Sequence, residues 1–392
     1  MMKKNLSNLL LPILCAVCIM TSVVKIPVVA TCAVNDGVSL REIIERIIEW
    51  EKKDSGVTPS GSVFTPEYLT LAGSLAGDWF PFGIGRYGYE EGYDAYLAAV
   101  ADYIIREYKK TNKLGSGATE WHRIALAVGA AGGDPTAIGS SNGAPVNLIA
   151  DGIYNRENIG RQGINGFIWG LIALDSKRYE VPEGAVNTRE SIIAAILERE
   201  IDGGGFALTG VNPDPSITGM AIQALSPYYD GRQDLKDVVD RSITWLSNAQ
   251  EQSGDYYSWG SRNVSDTVWP MLALISLGID PLTDARFIKN GNTLLDGILK
   301  YRNDDGGFRN SETGVSNSMA SEQVLYGLAG LYRFQNGMNN LFDLRDVTER
   351  QKPQSDEKPS AWKWYAVRSG ITIAAGAAAG IILRKKKNTV QK

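Results

Sequence analysis

Histidine and cysteine are almost missing from this chain of 392 residues, which carries one histidine, His122, and three cysteines, Cys15, Cys18 and Cys32. All three cysteines sit near the start of the chain. A leader removed on export would leave at most one of them, so no intrachain disulfide can staple what remains. An excess of charge is lacking too: the formal net charge is −4, which gives no reason to expect nucleic acid as a partner. Long apolar runs are confined to the two ends. The composition between them, with 44% apolar and 21% charged residues over the whole chain, is that of an ordinary globular protein.

The ends set an expected address. Lys3 and Lys4 precede an apolar stretch from Leu9 to Val24, and small residues follow at Ala30, Thr31, Cys32 and Ala33. That order is a secretory signal peptide over residues 1–33, cut after Cys32 or Ala33. Thr31 stands where a lipoprotein cysteine would need Gly, Ala or Ser before it, which counts against lipidation. Near the other end, residues 364–383 form an apolar stretch close to the roughly 20 residues that span a bilayer, provided Arg368 snorkels to the interface. Trp362, Trp364 and Tyr365 supply an aromatic belt, and Arg384, Lys385, Lys386 and Lys387 mark the cytoplasmic side. The expectation is a single-pass protein of a bacterial cell surface. Its ectodomain lies outside, a stalk covers residues 346–361 and a basic cytoplasmic tail covers 384–392. Gly376 and Gly380 form a GxxxG pair, read either as close packing or as a weak dimer contact.

Between the ends nothing reads as a strand-rich domain. Ser39 to Lys53 places Leu40, Ile43, Ile44, Ile47 and Ile48 on one face behind a Ser39-x-x-Glu42 capping box. Similar one-faced segments follow at Gly92–Lys110, Thr188–Glu200, Leu235–Gln250 and Thr293–Arg302, with a short one at Val146–Tyr154. Shorter segments, apolar all round, alternate with them: Pro66–Leu75, Thr119–Ala131, Gly166–Leu174, Ser216–Leu225, Asp266–Leu277 and Ser318–Tyr332. A helix apolar all round is buried and a one-faced helix lies outside. Three of these pairs share a spacing. Leu197, Ile201, Gly204 and Phe206 recur as Leu246, Gln250, Gly254 and Tyr256, then as Leu299, Asn303, Gly306 and Phe308. The period is about 50 residues, enough for one outer helix, one turn and one inner helix. Glycine ends the outer helix in a left-handed turn and the aromatic packs back over it. About six such hairpins over residues 38–345, with no polar capping repeat, point to an all-α fold closed as an (α/α)6 toroid.

The run Leu246-x3-Gln250-x3-Gly254-x-Tyr256 resembles the repeat of the terpenoid cyclase and protein prenyltransferase α/α-toroid superfamily, which includes the squalene cyclases. Asp202–Phe206 and Asp304–Phe308 resemble its Asp-Gly-Gly-Phe turn, and Asp78-Trp79 through Arg86 resembles an early helix start in exported bacterial members. The resemblance implies a central pocket and three chemistries, none of which finds its residues. Prenyltransferases hold catalytic zinc with Asp, Cys and His, and zinc needs about three protein ligands; His122 and Cys32 do not supply them, so no metal site is expected. Class II cyclases protonate with Asp-x-Asp-Asp, which is absent, Asp304-Asp305 lying in the repeat turn. The thioester branch needs Cys-Gly-Glu-Gln, where this chain has Ser321-Glu322-Gln323.

Gly83-Ile84-Gly85-Arg86-Tyr87-Gly88 matches G-x-G-x-x-G but has no βαβ unit around it, and reads as a turn opening a helix. Asn263-Val264-Ser265 fits a glycosylation sequon that matters only in a eukaryotic host. The candidate ligand-binding residues cluster at the starts of inner helices: Glu120, Trp121, His122, Phe167, Trp169, Asp214, Asp266, Trp269, Glu322, Gln323 and Tyr326. Acidic and aromatic groups there would converge on one mouth of a closed ring. The plainer alternative is acids complementing helix dipoles and aromatics filling a core. Three functions stay open. The first is a non-catalytic, membrane-anchored binder of a bulky ligand, with a cobalamin-type corrinoid first by analogy to intrinsic factor and transcobalamin. The second is a surface enzyme, cyclase-like or glycan-active, using inner-rim carboxylates, although no spacing singles out the pair that glycoside hydrolysis needs. The third is a structural or adhesive spacer.

Overall fold

A computed structural model describes residues 38–350 apart from 112 and 116. The expected signal peptide, the transmembrane helix, its basic tail and the Gly376/Gly380 pair all lie outside these residues. Among the described residues no helix is long and apolar enough to cross a membrane.

Among the described residues twelve α-helices follow one another: α1 (Leu40–Asp54), α2 (Pro66–Leu69), α3 (Leu75–Tyr87), α4 (Tyr93–Thr111), α5 (Ala118–Ala130), α6 (Ile164–Asp175), α7 (Arg189–Leu197), α8 (Pro215–Leu225), α9 (Gln233–Ala249), α10 (Ser265–Ser276), α11 (Leu294–Leu299) and α12 (Ser318–Gln335). Six of them form the inner ring. Helix α3 packs on α5, α5 on α6, α6 on α8, α8 on α10, α10 on α12, and α12 returns to α3. Outside them lie α1, α4, α7, α9, α11 and a π-turn at Ala150–Tyr154. Helix α1 packs on α12, so the first outer helix covers the last inner one and the ring is closed.

The apolar stripe of α1 explains its place. Leu40, Ile43, Ile44, Ile47 and Ile48 are all buried, as a 3.6-residue period requires of one face. The Ser39 hydroxyl accepts from Glu42 N at 3.2 Å, but the Glu42 carboxylate turns to Arg46 at 2.6 Å instead of closing the capping box. Inner helices approach closely because they carry small residues. A Cβ on Gly219 of α8 would lie 2.6 Å from the backbone of Trp269 in α10, so that contact exists only with glycine there.

The three repeat turns build the same corner. Gly204, Gly254 and Gly306 have φ of 100°, 84° and 95°, and Phe206, Tyr256 and Phe308 pack fully buried beside them. Each turn rests on the next outer helix: Gly204 on Arg241 of α9, Gly254 on Thr293 at the start of α11, and Gly306 on Arg46 of α1. The last of these joins the third repeat to the first helix. At Gly254 both limits apply: the backbone is left-handed, and a Cβ would lie only 2.2 Å from the Thr293 carbonyl oxygen. Gly254→Ala is expected to cost about 2 kcal/mol or more in urea unfolding, and a loss below a few tenths would remove this account of the turn.

Three local expectations change. The inner helix expected at Pro66–Leu75 is a single turn, and the true inner helix α3 begins at Leu75, after Gly73 breaks the chain at φ 84°. Ring burial then carries α3 through Pro81, Gly83 and Gly85, which local propensity disfavours. The G-x-G-x-x-G string therefore lies inside and at the end of a helix, Gly88 being its left-handed cap, and does not open one. A two-stranded ribbon, β1 (Ile138–Ser141) antiparallel to β2 (Ala144–Val146), stands between α5 and the π-turn. Its signal was Asn142-Gly143, both with positive φ, the pair favoured in tight hairpins.

Candidate functional site

Each inner helix sends a side chain from its first turns toward the ring's centre, and together they line a cup of about 220 Å3. Leu75 and Trp79 come from α3, Thr119 and Arg123 from α5, and Asn165 and Trp169 from α6. Residues four apart stand one turn above the other on a helix, so these pairs make an upper and a lower tier. Met220, Trp269, Gln323 and Tyr326 complete the wall from α8, α10 and α12.

Apart from Arg123, the lower tier is an aromatic floor. Ring centroids run Trp79 to Trp169 at 5.4 Å, Trp169 to Trp269 at 5.5 Å, Trp269 to Tyr326 at 5.3 Å and Tyr326 back to Trp79 at 5.4 Å. The circuit is closed. Beneath it lies Phe342, from the segment that follows α12, stacked on Phe82 at 5.2 Å and edge-on to Trp169 at 5.6 Å. The axis of the toroid is thus plugged halfway, making a cup and not a channel. A second cavity, about 500 Å3, opens at the opposite ends of α6, α8 and α10 beneath residues 340–345.

Apart from Leu75, the upper tier is polar and partly unsatisfied. Asn165 Oδ1 and Gln323 Oε1 are buried and have no hydrogen-bond partner, although both side chains line the cup. An unpaired buried acceptor costs about 1–3 kcal/mol, and turning either amide toward the cup would bring its oxygen within reach of a donor there. Arg123 is occupied: Nε donates to Asp78 Oδ2 at 3.0 Å and an Nη to the Gly73 carbonyl at 3.0 Å. Asp78 also accepts from Tyr96 at 2.8 Å and from Gly73 N at 2.9 Å. Burial still pushes its carboxyl up, with Arg123 opposing.

Behind the wall, where α1 meets α12, two more carboxyls are pushed up by burial. Burial raises Glu51 from 4.5 to about 8, against the Ser318 hydroxyl that favours its charged form. Glu322 is raised well above its ordinary value, first by burial and then by Glu51 and Asp78. It stands one turn above Tyr326.

Of the residues singled out in the sequence, Trp169, Trp269, Gln323 and Tyr326 line the cup. The others do not. Glu120 accepts from Tyr103 at 3.2 Å. Trp121 is buried with its indole N–H on the Gly115 carbonyl at 3.1 Å. The His122 ring meets the Gly152 carbonyl at 2.9 Å, and full burial lowers its pKa to about 4. Phe167 lies under Arg199 at 4.8 Å. Asp214 caps α8 at Ile217 N, 2.9 Å away, and Asp266 accepts from Ser216 at 2.6 Å. Leu75, Trp79, Thr119, Arg123, Asn165 and Met220 were not among the expected residues. The signal available for Asn165 was its place four residues before Trp169.

Among the described residues no group of three or more His, Cys, Asp or Glu side chains is placed to hold a metal ion. The closed ring of six inner and six outer helical elements defines an α/α toroid. In particular, the chain is similar to Candida albicans protein geranylgeranyltransferase-I complexed with GGPP, at 13% identity over 76% of this chain and 94% of that one, with a TM-score of 0.50. At this identity the likeness concerns the fold alone. No family model matches the chain, and no curated protein matches it.

Proposed function

We propose that this protein is a non-catalytic toroid that binds a ring-sized ligand in its central cup, displayed at a bacterial cell surface by the anchor at 364–383. What carries the reading is the pairing of two buried acceptors without partners, Asn165 Oδ1 and Gln323 Oε1, with a floor of four aromatic rings. A ligand with a flat apolar face answers the floor, and donors at its edge answer the two amides once these turn toward it. The corrinoid expectation gives way on size. A cup of about 220 Å3 is below the roughly 300 Å3 at which pockets for drug-sized molecules begin, so a macrocycle would rest on the rim and leave the acceptors unmet. The Candida enzyme complexed with GGPP is a precedent for a toroid that holds a ligand.

Titration of the full chain with cobalamin, benzamide and free hexoses, followed by tryptophan fluorescence, tests this. Ring-sized ligands should quench, and Gln323→Ala should weaken them roughly tenfold, the value of one hydrogen bond to a buried acceptor. Cobalamin binding that survives Trp169→Ala, with no response to the smaller ligands, would sink the reading.

A second reading, a surface enzyme, draws on Glu51 and Glu322, both raised by burial, since a carboxylic acid that keeps its proton at neutral pH can donate it. Glu322→Gln separates the two: binding unchanged with no turnover lost in any assay favours the binder.

A further inference from the structure

The rim above the cup carries an aromatic side chain that the fold holds out in water. Trp259 is 72% exposed. It shares with Gly260 the tip of a tight hairpin, where Ser258 and Ser261 exchange both backbone hydrogen bonds at 3.0 and 2.9 Å. Both tip residues have positive φ, 50° and 81°, a conformation that costs a tryptophan about 1 kcal/mol or more. Neighbours hold it there. The indole Nε1 donates to Asp214 Oδ2 at 2.7 Å, while the other Asp214 oxygen caps α8. Across the hairpin, Asp266 accepts from Ser258 and from Asn263, one residue on each side of the turn. The two acids therefore serve as mounts for an exposed indole. They stand at the starts of α8 and α10, the helices that send Met220 and Trp269 into the cup.

We infer that the ligand is a neutral saccharide chain, with one sugar ring in the cup and the next lying on Trp259; this rests on the cup reading above. A pyranose has an apolar face of C–H groups, which an indole attracts through the negative face of its π-system, and hydroxyls around its edge. Each hydroxyl is donor and acceptor at once, and each amide of Asn165 and Gln323 offers an oxygen beside an NH2. An isoprenoid chain has no donor and would leave both oxygens unmet. An anionic ligand would face Asp214 and Asp266 on the same end of the ring. A fixed, exposed indole adds a stacking surface at little entropic cost, because its side chain is already ordered in the free protein.

Calorimetric titration of the full chain with glucose, N-acetylglucosamine and their β-1,4-linked dimers and tetramers is the test. The dimer is expected to bind roughly tenfold more tightly than the monomer, the scale of one stacking contact. Trp259→Ala should remove that gain while leaving the monomer within about twofold, and Trp259→Phe, which keeps a ring but loses the bond to Asp214, should restore only part of it. A dimer no tighter than its monomer, or a gain that survives Trp259→Ala, overturns the proposal. If no saccharide binds but benzamide still quenches the cup tryptophans, the saccharide inference falls and the ring-sized ligand stands. Silence from benzamide as well removes both.

Discussion

Replacing Arg86 by Met is expected to destabilise the toroid by about 3–5 kcal/mol, a large part of the 5–15 kcal/mol that holds most domains folded. Arg86 is 1% exposed. Its Nε donates to the Leu341 carbonyl at 2.7 Å, one Nη to Asp346 at 2.9 Å, and the other to the carbonyls of Asn340 at 3.0 Å and Asp343 at 2.9 Å. One guanidinium thus serves four acceptors on the segment that carries Phe342 under the cup. Arg333 helps from the side, donating to the Asn339 carbonyl, to the Arg86 carbonyl and to Asp346. Burial lowers Arg86 to about 10, with Arg333 adding to the effect, so the group remains charged at neutral pH. Methionine keeps the apolar stem but leaves three carbonyls without this donor and Asp346 with half its partners. Arg86→Lys should recover little, since an ammonium cannot reach in four directions from a planar fork. Urea unfolding measures the loss, and tryptophan emission should shift as Phe342 leaves Trp169 and Trp269. A loss under about 1 kcal/mol would mean that the segment is held by its apolar contacts alone.

The contrast between α1 and the inner helices explains what could be read from sequence. In α1 only one face is apolar, so Ile43, Ile44, Ile47 and Ile48 declare their direction, and the structure buries them. The Gly-x-aromatic corners were legible because each must make the same left-handed turn against the next outer helix, which restricts residue choice at Gly204, Gly254 and Gly306. The outer element expected at Val146–Tyr154 is present but shortened to the π-turn Ala150–Tyr154, while the β-ribbon, with strands of four and three residues, carries too little periodicity to register.

The cup was harder for a related reason. Helix α6 is apolar nearly all round, so nothing local says that Asn165 and Trp169 face the axis while Phe167 faces Arg199. Trp79 lies in a stretch that resembles a helix start, but nothing local says which face of that helix meets the axis. Acids at helix starts are ambiguous in another way. Asp214, Asp266 and Glu120 have the same sequence context whether they meet a ligand or a neighbour, and here hydroxyl, indole and phenol groups already satisfy them. The distinction between free and occupied polar groups is tertiary. Asn165 and Gln323 stand out only once the partners of every other polar group are known.

The toroid should also lose stability as the medium becomes alkaline, and Glu51→Gln should abolish much of that loss. Glu51 is 5% exposed, and one of its oxygens has no partner. Burial raises its pKa from 4.5 to about 8, and Asp54 adds to the rise. A carboxyl with a folded pKa above its unfolded one binds the proton more tightly when folded. Its contribution is therefore fully present below pH 4.5 and is lost as the pH rises through about 8. Glu322, Asp78 and Asp266 are shifted the same way by burial. His122 acts oppositely. Lowered from 6.5 to about 4, it contributes stability above pH 6.5 that is lost as the pH falls through 4. Stability should then peak on the mildly acidic side of neutrality. At pH 8.5 the glutamine variant, which cannot ionise, should be more stable than the parent by on the order of a few kcal/mol. At pH 5 the two should differ little. Melting temperatures at pH 5, 7 and 8.5 decide the matter. A glutamine variant that melts below the parent at pH 8.5, with the same slope between pH 5 and 8.5, would show that Glu51 is charged in the folded toroid and stabilises it in that form.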